Sequence, residues 1–148
     1  MLTELSNKKL NILLVEDHVE TVVDIKQIFE TNKITHPLYT AKNGLEALEM
    51  LRSQDGKPSV IPNESRLILL DLNSPKINGW EFLSELRSDS KLKIIPVVVL
   101  ASSCDNDEEK RKLYKLNVAG CVNKPVASDE LVEVFMTIIK YWTINELP

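Results

Sequence analysis

Carboxylate side chains follow two of the apolar segments in this sequence. Glu16 and Asp17 come directly after the first apolar segment, and Asp71 comes directly after the segment "LILL". A third polar position, Lys124, follows a short apolar segment near the end of the chain. Because a carboxylate is expensive to bury without a partner, these positions indicate side chains that reach an accessible edge and are stabilised there by a cation.

Carboxylates that lie close together repel one another and take up protons unless a cation lies among them. Mg²⁺ binds oxygen ligands and is typically held by one or two carboxylates together with a phosphate. An aspartate beside Mg²⁺ can attack a phosphoryl group, because that transfer depends mainly on positioning and charge neutralisation. We therefore expect Glu16 and Asp17 to bind Mg²⁺ together with Asp71. Lys124 is expected to supply the remaining positive charge as a donor to a phosphate oxygen.

Short apolar segments alternate along the chain with segments in which apolar residues recur at helical spacing. The first kind is typical of buried parallel strands and the second of amphipathic helices. The predicted strands are residues 11–17, 37–41, 66–72, 95–102 and 120–126, and the predicted helices are residues 19–32, 44–51, 79–88, 107–117 and 128–142. Ser128 is the predicted N-cap of the last helix, with Asp129 and Glu130 in its first turn. This alternation predicts an α/β fold with a doubly wound, five-stranded parallel sheet, right-handed crossovers and five helices.

The predicted fold brings the candidate residues together. In a doubly wound sheet, ligands bind outside the carboxyl ends of the strands, where the strand order reverses. With the strand order 2-1-3-4-5, the first and third strands are neighbours, so the three carboxylates converge with Lys124 nearby. Taken singly, an aspartate at a strand end is more often a turn former or a helix cap. The combination of these residues at converging strand ends is what indicates chemistry.

The composition excludes several classes of protein. The 148 residues suit one domain, predicted as an N-terminal extension over residues 1–10, a folded domain over 11–142 and a C-terminal tail over 143–148. A net charge of −4 without a basic stripe argues against nucleic-acid binding, and no apolar segment is long enough for a membrane span. There is no secretory signal, and Cys104 and Cys121 are too few and too isolated for a disulfide framework or a zinc site. We therefore expect a soluble protein of the reducing cytoplasm.

Four motifs occur in order along the chain: "LLVED", "LILLDLNSPKINGWEFL", "IPVVVLASS" and "NKPV". On these motifs the sequence resembles the receiver domain of two-component response regulators, which has a flavodoxin-like fold, over about residues 11–141. The resemblance implies that Asp71 accepts a phosphoryl group from a histidine kinase in a phosphorelay and that output is by protein–protein interaction. It implies no enzyme activity beyond Mg²⁺-dependent self-phosphorylation and slow autodephosphorylation. It further implies that Asn73 offers its backbone carbonyl to the Mg²⁺ and that the Lys124–Pro125 bond is cis.

The segment "DLNSPKINGWEFL" and the insertion before the third strand carry a narrower resemblance. They are similar to those of single-domain regulators that partner phytochrome-type histidine kinases. The implied partners are such a kinase and a downstream protein whose identity the sequence does not give. The family resemblance also implies a homodimer formed through the fourth helix, the fifth strand and the fifth helix.

Two positions depart from the family pattern. The hydroxyl residue that usually contacts the phosphoryl group falls on Ala101 when counted from Asp71. It falls on Ser102 when counted back from Lys124. An extra residue is tolerated better in a loop than in a central strand, which favours Ala101. The aromatic residue that commonly moves inward on activation corresponds to Cys121.

Two other functions remain open from the sequence. Ala101 and Cys121 are compatible with a receiver-like interaction protein whose partner binding is not switched by phosphorylation. An α/β phosphohydrolase also uses a strand-end aspartate with Mg²⁺, but such enzymes generally carry a second aspartate two residues further on, where this chain has Asn73.

Overall fold

The computed structural model describes residues 9–148 of the chain. Five parallel strands form one sheet in the order β2-β1-β3-β4-β5. The strands are β1 (Asn11–Val15), β2 (Leu38–Ala41), β3 (Arg66–Asp71), β4 (Val97–Ala101) and β5 (Gly120–Asn123). The helices of the described residues are α1 (Val19–Thr31), α2 (Gly44–Leu51), α3 (Gly79–Ser88), α4 (Asp107–Lys115) and α5 (Ser128–Thr143). The predicted doubly wound α/β fold and its strand order are confirmed.

The three central strands, β1, β3 and β4, are buried along their whole length. Side chains alternate between the two faces of the sheet, as the pleat of a strand requires. Leu13 and Val15 of β1 pack in the layer formed with α2 and α3, and Ile12 and Leu14 pack in the layer formed with α1 and α5. Fully burying one aliphatic side chain stabilises the folded state by about 1.5–3 kcal/mol. The many buried side chains of the two layers therefore hold the ends of these strands in fixed positions.

The candidate residues lie where the strands end. β1 ends one residue before Glu16, β3 ends with Asp71, and β5 ends one residue before Lys124. The strands are parallel, so all three ends lie at the same edge of the sheet. The predicted convergence of these residues therefore follows directly from the topology.

The start of α5 differs from the prediction. Ser128 is the first residue of the helix rather than its N-cap, and Ala127 occupies the N-cap position without a side-chain hydrogen bond. The Leu131 N–H donates to the Ala127 carbonyl at 3.1 Å, which closes the first helical turn one residue earlier than predicted. Asp129 and Glu130 lie in the first turn, as expected.

Both ends of the described chain contact the domain. Most of the predicted N-terminal extension, residues 1–10, lies outside the described residues, but Leu10 is buried and its N–H donates to His36 Nδ1 at 3.0 Å. In the predicted C-terminal tail, the Pro148 carbonyl accepts a hydrogen bond from the Ser65 N–H at 2.7 Å. Among residues 9–148, no helix has the length and apolar character needed to cross a bilayer.

A disulfide corrects the interpretation of the cysteines. The sequence argued against a disulfide framework, yet Cys104 and Cys121 form a single bridge with a Cα–Cα distance of 6.2 Å. The two residues are separated by 17 positions in sequence. They meet because β4 and β5 are neighbours in the sheet and the loop after β4 contacts the end of β5, where the Cys104 N–H donates to Asn123 Oδ1. Spacing along the chain could not reveal this proximity.

Candidate functional site

An open pocket at the carboxyl edge of the sheet collects the predicted site residues. Its wall includes Asp17, Asp71, Asn73, Ser102 and Lys124, together with His18, Ser74, Pro75, Lys76, Pro125 and Val126. Glu16 lies beneath this wall and is 3% exposed, as is Asp71. The structure therefore brings together the acid pair, the strand-end aspartate and the lysine.

Lys124 lies between the two most buried carboxylates. Its Nζ donates to Glu16 Oε1 at 2.7 Å and to Asp71 Oδ2 at 3.2 Å. The second oxygen of Glu16 accepts the backbone N–H of Asp17 at 3.1 Å. One ammonium group thus compensates two carboxylates that are both withdrawn from solvent.

Burial and the neighbouring charges shift the pKa values of Glu16 and Lys124. Burial raises the pKa of Glu16, and the hydrogen bond with Asp71 and the negative charge of Asp71 raise it further, against the opposing effect of Lys124. Burial alone lowers the pKa of Lys124, but hydrogen bonds and Coulomb attraction to Glu16 and Asp71 outweigh it and raise that pKa. Lys124 therefore stays charged. Its single positive charge does not balance the carboxylates around it, so the site can take up a second cation.

Asp17 offers an oxygen atom for that cation. Its Oδ2 accepts a hydrogen bond from the Ser74 hydroxyl at 2.7 Å. Its Oδ1 is buried and is the one such side-chain atom of the described residues that accepts no hydrogen bond, although His18 Nδ1 lies 3.2 Å away. A buried carboxylate oxygen without a donor is costly unless an ion or solvent satisfies it, and an oxygen-rich donor set suits Mg²⁺. The residues of the pocket therefore fit a divalent cation.

Two neighbours of Asp17 were not predicted from the sequence. Ser74 is separated from Asp17 by 57 residues, and no spacing rule connects them. His18 follows the acid pair directly, and its Nδ1 lies 3.2 Å from Asp17 Oδ1 and 3.4 Å from Glu16 Oε2. The imidazole is 66% exposed, so adjacency to the acid pair was the signal that could have identified it.

Asn73 holds two parts of the site in place. Its backbone N–H donates to Asp71 Oδ1 at 3.1 Å. Its side-chain Oδ1 accepts a hydrogen bond from the backbone N–H of Ser102, in the loop after β4. The side chain therefore links the β3 end to the β4 end, a contact that the sequence did not predict.

The structure separates the two candidates for the hydroxyl position. Ser102 lines the pocket with Asp71, whereas the side chain of Ala101 is buried on the other face of the sheet, in the layer that contains Cys121. This placement supports Ser102, the residue reached by counting back from Lys124, over Ala101, the residue reached by counting from Asp71.

One backbone expectation was wrong. No peptide bond among residues 9–148 is cis, so the Lys124–Pro125 bond is trans. The trans isomer of an X–Pro bond is favoured by about 0.5–1 kcal/mol when nothing in the surroundings selects the other isomer. Lys124 reaches both carboxylates with the trans bond.

Comparison with known sequences identifies the family of the chain. The chain matches the response regulator receiver domain family over residues 12–136. It is 36% identical over 138 residues to the response regulator Rcp1 of Synechocystis sp., covering 93% of this chain and 91% of Rcp1. It is also 35% identical over 131 residues to the probable methanogenesis regulatory protein FilR2 of Methanothrix harundinacea, covering 88% of this chain and 82% of that protein.

Solved structures show the same similarity. The phosphorylated cyanobacterial phytochrome response regulator RcpA superimposes with a TM-score of 0.79 at 33% identity, over 95% of this chain and 99% of that one. The Mn²⁺-bound form of Rcp1 superimposes with a TM-score of 0.77 at 35% identity, over the same shares of the two chains. With the family match spanning most of its length, this chain belongs to the response regulator receiver domain family of two-component signalling.

Proposed function

We propose that this chain is a response regulator that accepts a phosphoryl group from the phosphohistidine of a sensor kinase onto Asp71. The observation that carries the proposal is the geometry around that carboxylate. Asp71 ends β3 in an open pocket, with Lys124 Nζ 3.2 Å from its Oδ2 and with Asp17 in the same wall. Output then occurs through a changed affinity for a downstream protein in a phosphorelay.

Each residue of the pocket has a separate role in the phosphoryl transfer. A carboxylate oxygen of Asp71 forms a bond to phosphorus while the phosphorus–nitrogen bond breaks and the imidazole of the kinase leaves. The Asn73 N–H orients the Asp71 carboxylate, and Lys124 pairs with a phosphoryl oxygen once that oxygen arrives. Ser102 is the candidate hydroxyl donor to another phosphoryl oxygen.

A divalent cation, Mg²⁺ in our assignment, belongs in the same pocket. Glu16, Asp17 and Asp71 supply its carboxylates, and Asn73 supplies a backbone carbonyl. The buried Oδ1 of Asp17, which accepts no hydrogen bond, supports the assignment from this chain. When bound, the ion neutralises charge on the phosphoryl oxygens.

Labelling tests the proposal directly. Incubation with a small acyl phosphate and Mg²⁺ should give an acid-stable, hydroxylamine-labile adduct on the wild-type chain. Asp71→Asn should give none, because an amide is not a nucleophile for this transfer. Asp55→Asn is the matched control, since Asp55 is exposed in a loop outside the pocket, and it should label like wild type. An unlabelled wild type, or label retained by Asp71→Asn, contradicts the proposal.

We further propose a phytochrome-type kinase as the phosphoryl donor and the cytoplasm as the location. The similarity to the cyanobacterial phytochrome response regulator RcpA supports the choice of donor. Phosphotransfer rates from a phytochrome-type kinase and from an unrelated histidine kinase should differ strongly in favour of the former. Equal rates contradict this part of the proposal and leave Asp71 as the acceptor.

A homodimer through α4, β5 and α5 is the proposed assembly. Tyr114 on α4 and Tyr141 on α5 are 52% and 56% exposed, so large apolar groups are available on both helices. The elution volume of the beryllofluoride-treated chain should decrease with increasing protein concentration. A monomeric elution volume throughout the concentration series contradicts the dimer.

A second candidate function is an interaction protein that binds its partner regardless of phosphorylation. It is favoured by Cys121, whose side chain is too small to act as the usual aromatic reporter. Partner affinity measured with and without beryllofluoride separates the two functions, because an unchanged affinity supports this one.

A phosphohydrolase is disfavoured, since the Asn73 side chain accepts a hydrogen bond from Ser102 and offers no acid. Sustained turnover of a phosphate ester would revive that function.

A further inference from the structure

The disulfide between Cys104 and Cys121 joins two elements beside the phosphoryl pocket. Cys104 lies in the loop between β4 and α4, and Cys121 is the second residue of β5, opposite Val99 in the sheet. Both cysteines are half-buried, so a redox partner can reach them. The bridge therefore connects a surface loop to the edge strand of the sheet.

The loop segment 102–104 is attached at both of its ends. At one end, the Ser102 N–H donates to Asn73 Oδ1. At the other end, the Cys104 N–H donates to Asn123 Oδ1 at 2.9 Å, and the disulfide adds a covalent link to β5. Asn123 immediately precedes Lys124, the lysine of the pocket.

The bridge and the pocket also share a side chain. A small hollow behind the loop is lined by Cys104 and Cys121 together with Ala101, Asn73 and Leu113. Asn73 lines this hollow as well as the pocket around Asp71. A change in the position of Cys104 is therefore transmitted to the segment that carries Ser102, and from there to Asn73.

We propose that Cys104 and Cys121 form a reversible redox site that sets how far the segment 102–104 can move when Asp71 is phosphorylated. The proposal rests on the proposed function and adds a second input to the same site. In the oxidised chain the segment is held against β5. In the reduced chain it is held by hydrogen bonds alone and is free to move toward the phosphoryl group.

The redox step is a thiol–disulfide exchange with a dithiol reductant. A thiolate of the reductant attacks one sulfur of the bridge and forms a mixed disulfide, and the second thiol of the reductant then displaces that cysteine. The chain gains two electrons and two protons as two thiols, and the reductant is oxidised to its own disulfide. A disulfide oxidant such as oxidised glutathione reverses the exchange. Disulfides of cytosolic proteins, where they occur, are usually transient and catalytic or redox-sensing, in line with a reversible bridge.

The test compares the full chain in two defined redox states. Oxidised glutathione should give a chain that resists alkylation, and a dithiol reductant should give one that takes up two alkyl groups by mass spectrometry. Hydrogen exchange of residues 102–106 should be about fivefold faster in the reduced chain. Adding beryllofluoride with Mg²⁺ should change that exchange by about fivefold or more in the reduced chain and only slightly in the oxidised chain.

Single substitutions provide the matched controls. Cys104→Ser, in the loop, and Cys121→Ser, in the strand, both remove the bridge, so each should respond to beryllofluoride like reduced wild type under oxidising conditions. Because the two changes lie in different elements, a folding defect in one leaves the other informative.

The proposal is overturned if both thiols stay alkylatable in oxidised glutathione. It is also overturned if the beryllofluoride response is the same in both redox states. An equal response with Asp71 labelled leaves the proposed function intact. If hydrogen exchange does not respond to beryllofluoride in either redox state and Asp71 is also not labelled, the proposed function is refuted as well.

Discussion

Lys124 is the positive charge that the structure places between Glu16 and Asp71. Replacing it with alanine leaves two nearly buried carboxylates without their ammonium partner. We expect Lys124→Ala to lower the free energy of unfolding at neutral pH by about 2 kcal/mol, less than for a fully buried pair because 23% of the Lys124 side chain is exposed. Urea denaturation measures the change, and adding Mg²⁺ should recover part of the loss, because a cation then binds the folded state.

Lys42→Ala is the control for that experiment. Lys42 also faces a glutamate, Glu46 at 3.9 Å, but its side chain is 75% exposed. An exposed pair of this kind contributes about 0–1 kcal/mol. Equal losses for the two alanine variants contradict the role assigned to Lys124.

Ser74 acts on the metal through Asp17. Its hydroxyl donates to Asp17 Oδ2, so Ser74→Ala frees that oxygen and lets the carboxylate rotate away from the pocket. Partners of metal ligands typically contribute about 10–100-fold to metal affinity. We therefore expect Mn²⁺ affinity to fall by about tenfold, measured by calorimetry, with Ser84→Ala unchanged because Ser84 lies exposed on α3. An unaltered affinity in Ser74→Ala shows that Asp17 is positioned by other groups.

At the scale of elements, the contact between α2 and α3 depends on Gly44. A Cβ added at Gly44 would lie 2.7 Å from Phe82 Cβ and 3.2 Å from the Ile77 carbonyl oxygen. Gly44→Ala should therefore destabilise the protein by about 1–3 kcal/mol, because backbone and a packed ring must shift to make room. Gly120→Ala, in the edge strand β5, meets nothing within 4 Å and should change stability by less than about 0.5 kcal/mol. Thermal unfolding of the two variants measures the difference. A Gly44→Ala variant as stable as wild type contradicts the tight packing at Gly44.

At the scale of the whole molecule, the fold could be predicted because it is encoded in regular spacing. Apolar segments of strand length alternate with helical periodicity from β1 to α5, and this alternation predicts a parallel sheet covered by helices. The acid pair, Asp71 and Lys124 could be predicted for the same reason, since each lies where an apolar segment ends. Regular elements thus specify both the topology and the residues at their carboxyl ends.

Features that depend on loop conformation could not be predicted in this way. Three features are of this kind: the contact of Ser74 with Asp17, the position of Ser102 in the pocket and the Cys104–Cys121 bridge. In each of them at least one residue lies outside the helices and strands. Loop backbones have no periodicity, and a shift of one residue after β4 exchanges Ser102 for Ala101. Their geometry is set by side-chain hydrogen bonds between distant segments, such as that from Ser102 to Asn73.

His36 connects the start of the described chain to its last helix and makes the stability of the whole molecule depend on pH. Its Nδ1 accepts the Leu10 N–H at 3.0 Å, and its Nε2 lies 3.2 Å from Thr143 Oγ1. Accepting that hydrogen bond requires the neutral imidazole. Burial lowers the pKa of His36 below its ordinary value of 6.5, and the charge of Lys9 lowers it further.

The unfolded chain therefore binds more protons at this position than the folded chain between the lowered pKa and 6.5. The stabilisation is fully present above pH 6.5 and should be lost as the pH falls through the folded-state pKa of His36. Urea denaturation at a series of pH values from about 5 to about 8 should show this loss in wild type. His36→Gln should remove this part of the pH dependence and lower stability at neutral pH by about 1 kcal/mol through the weakened hydrogen bonds. A slope retained by His36→Gln shows that groups other than His36 set the acid sensitivity.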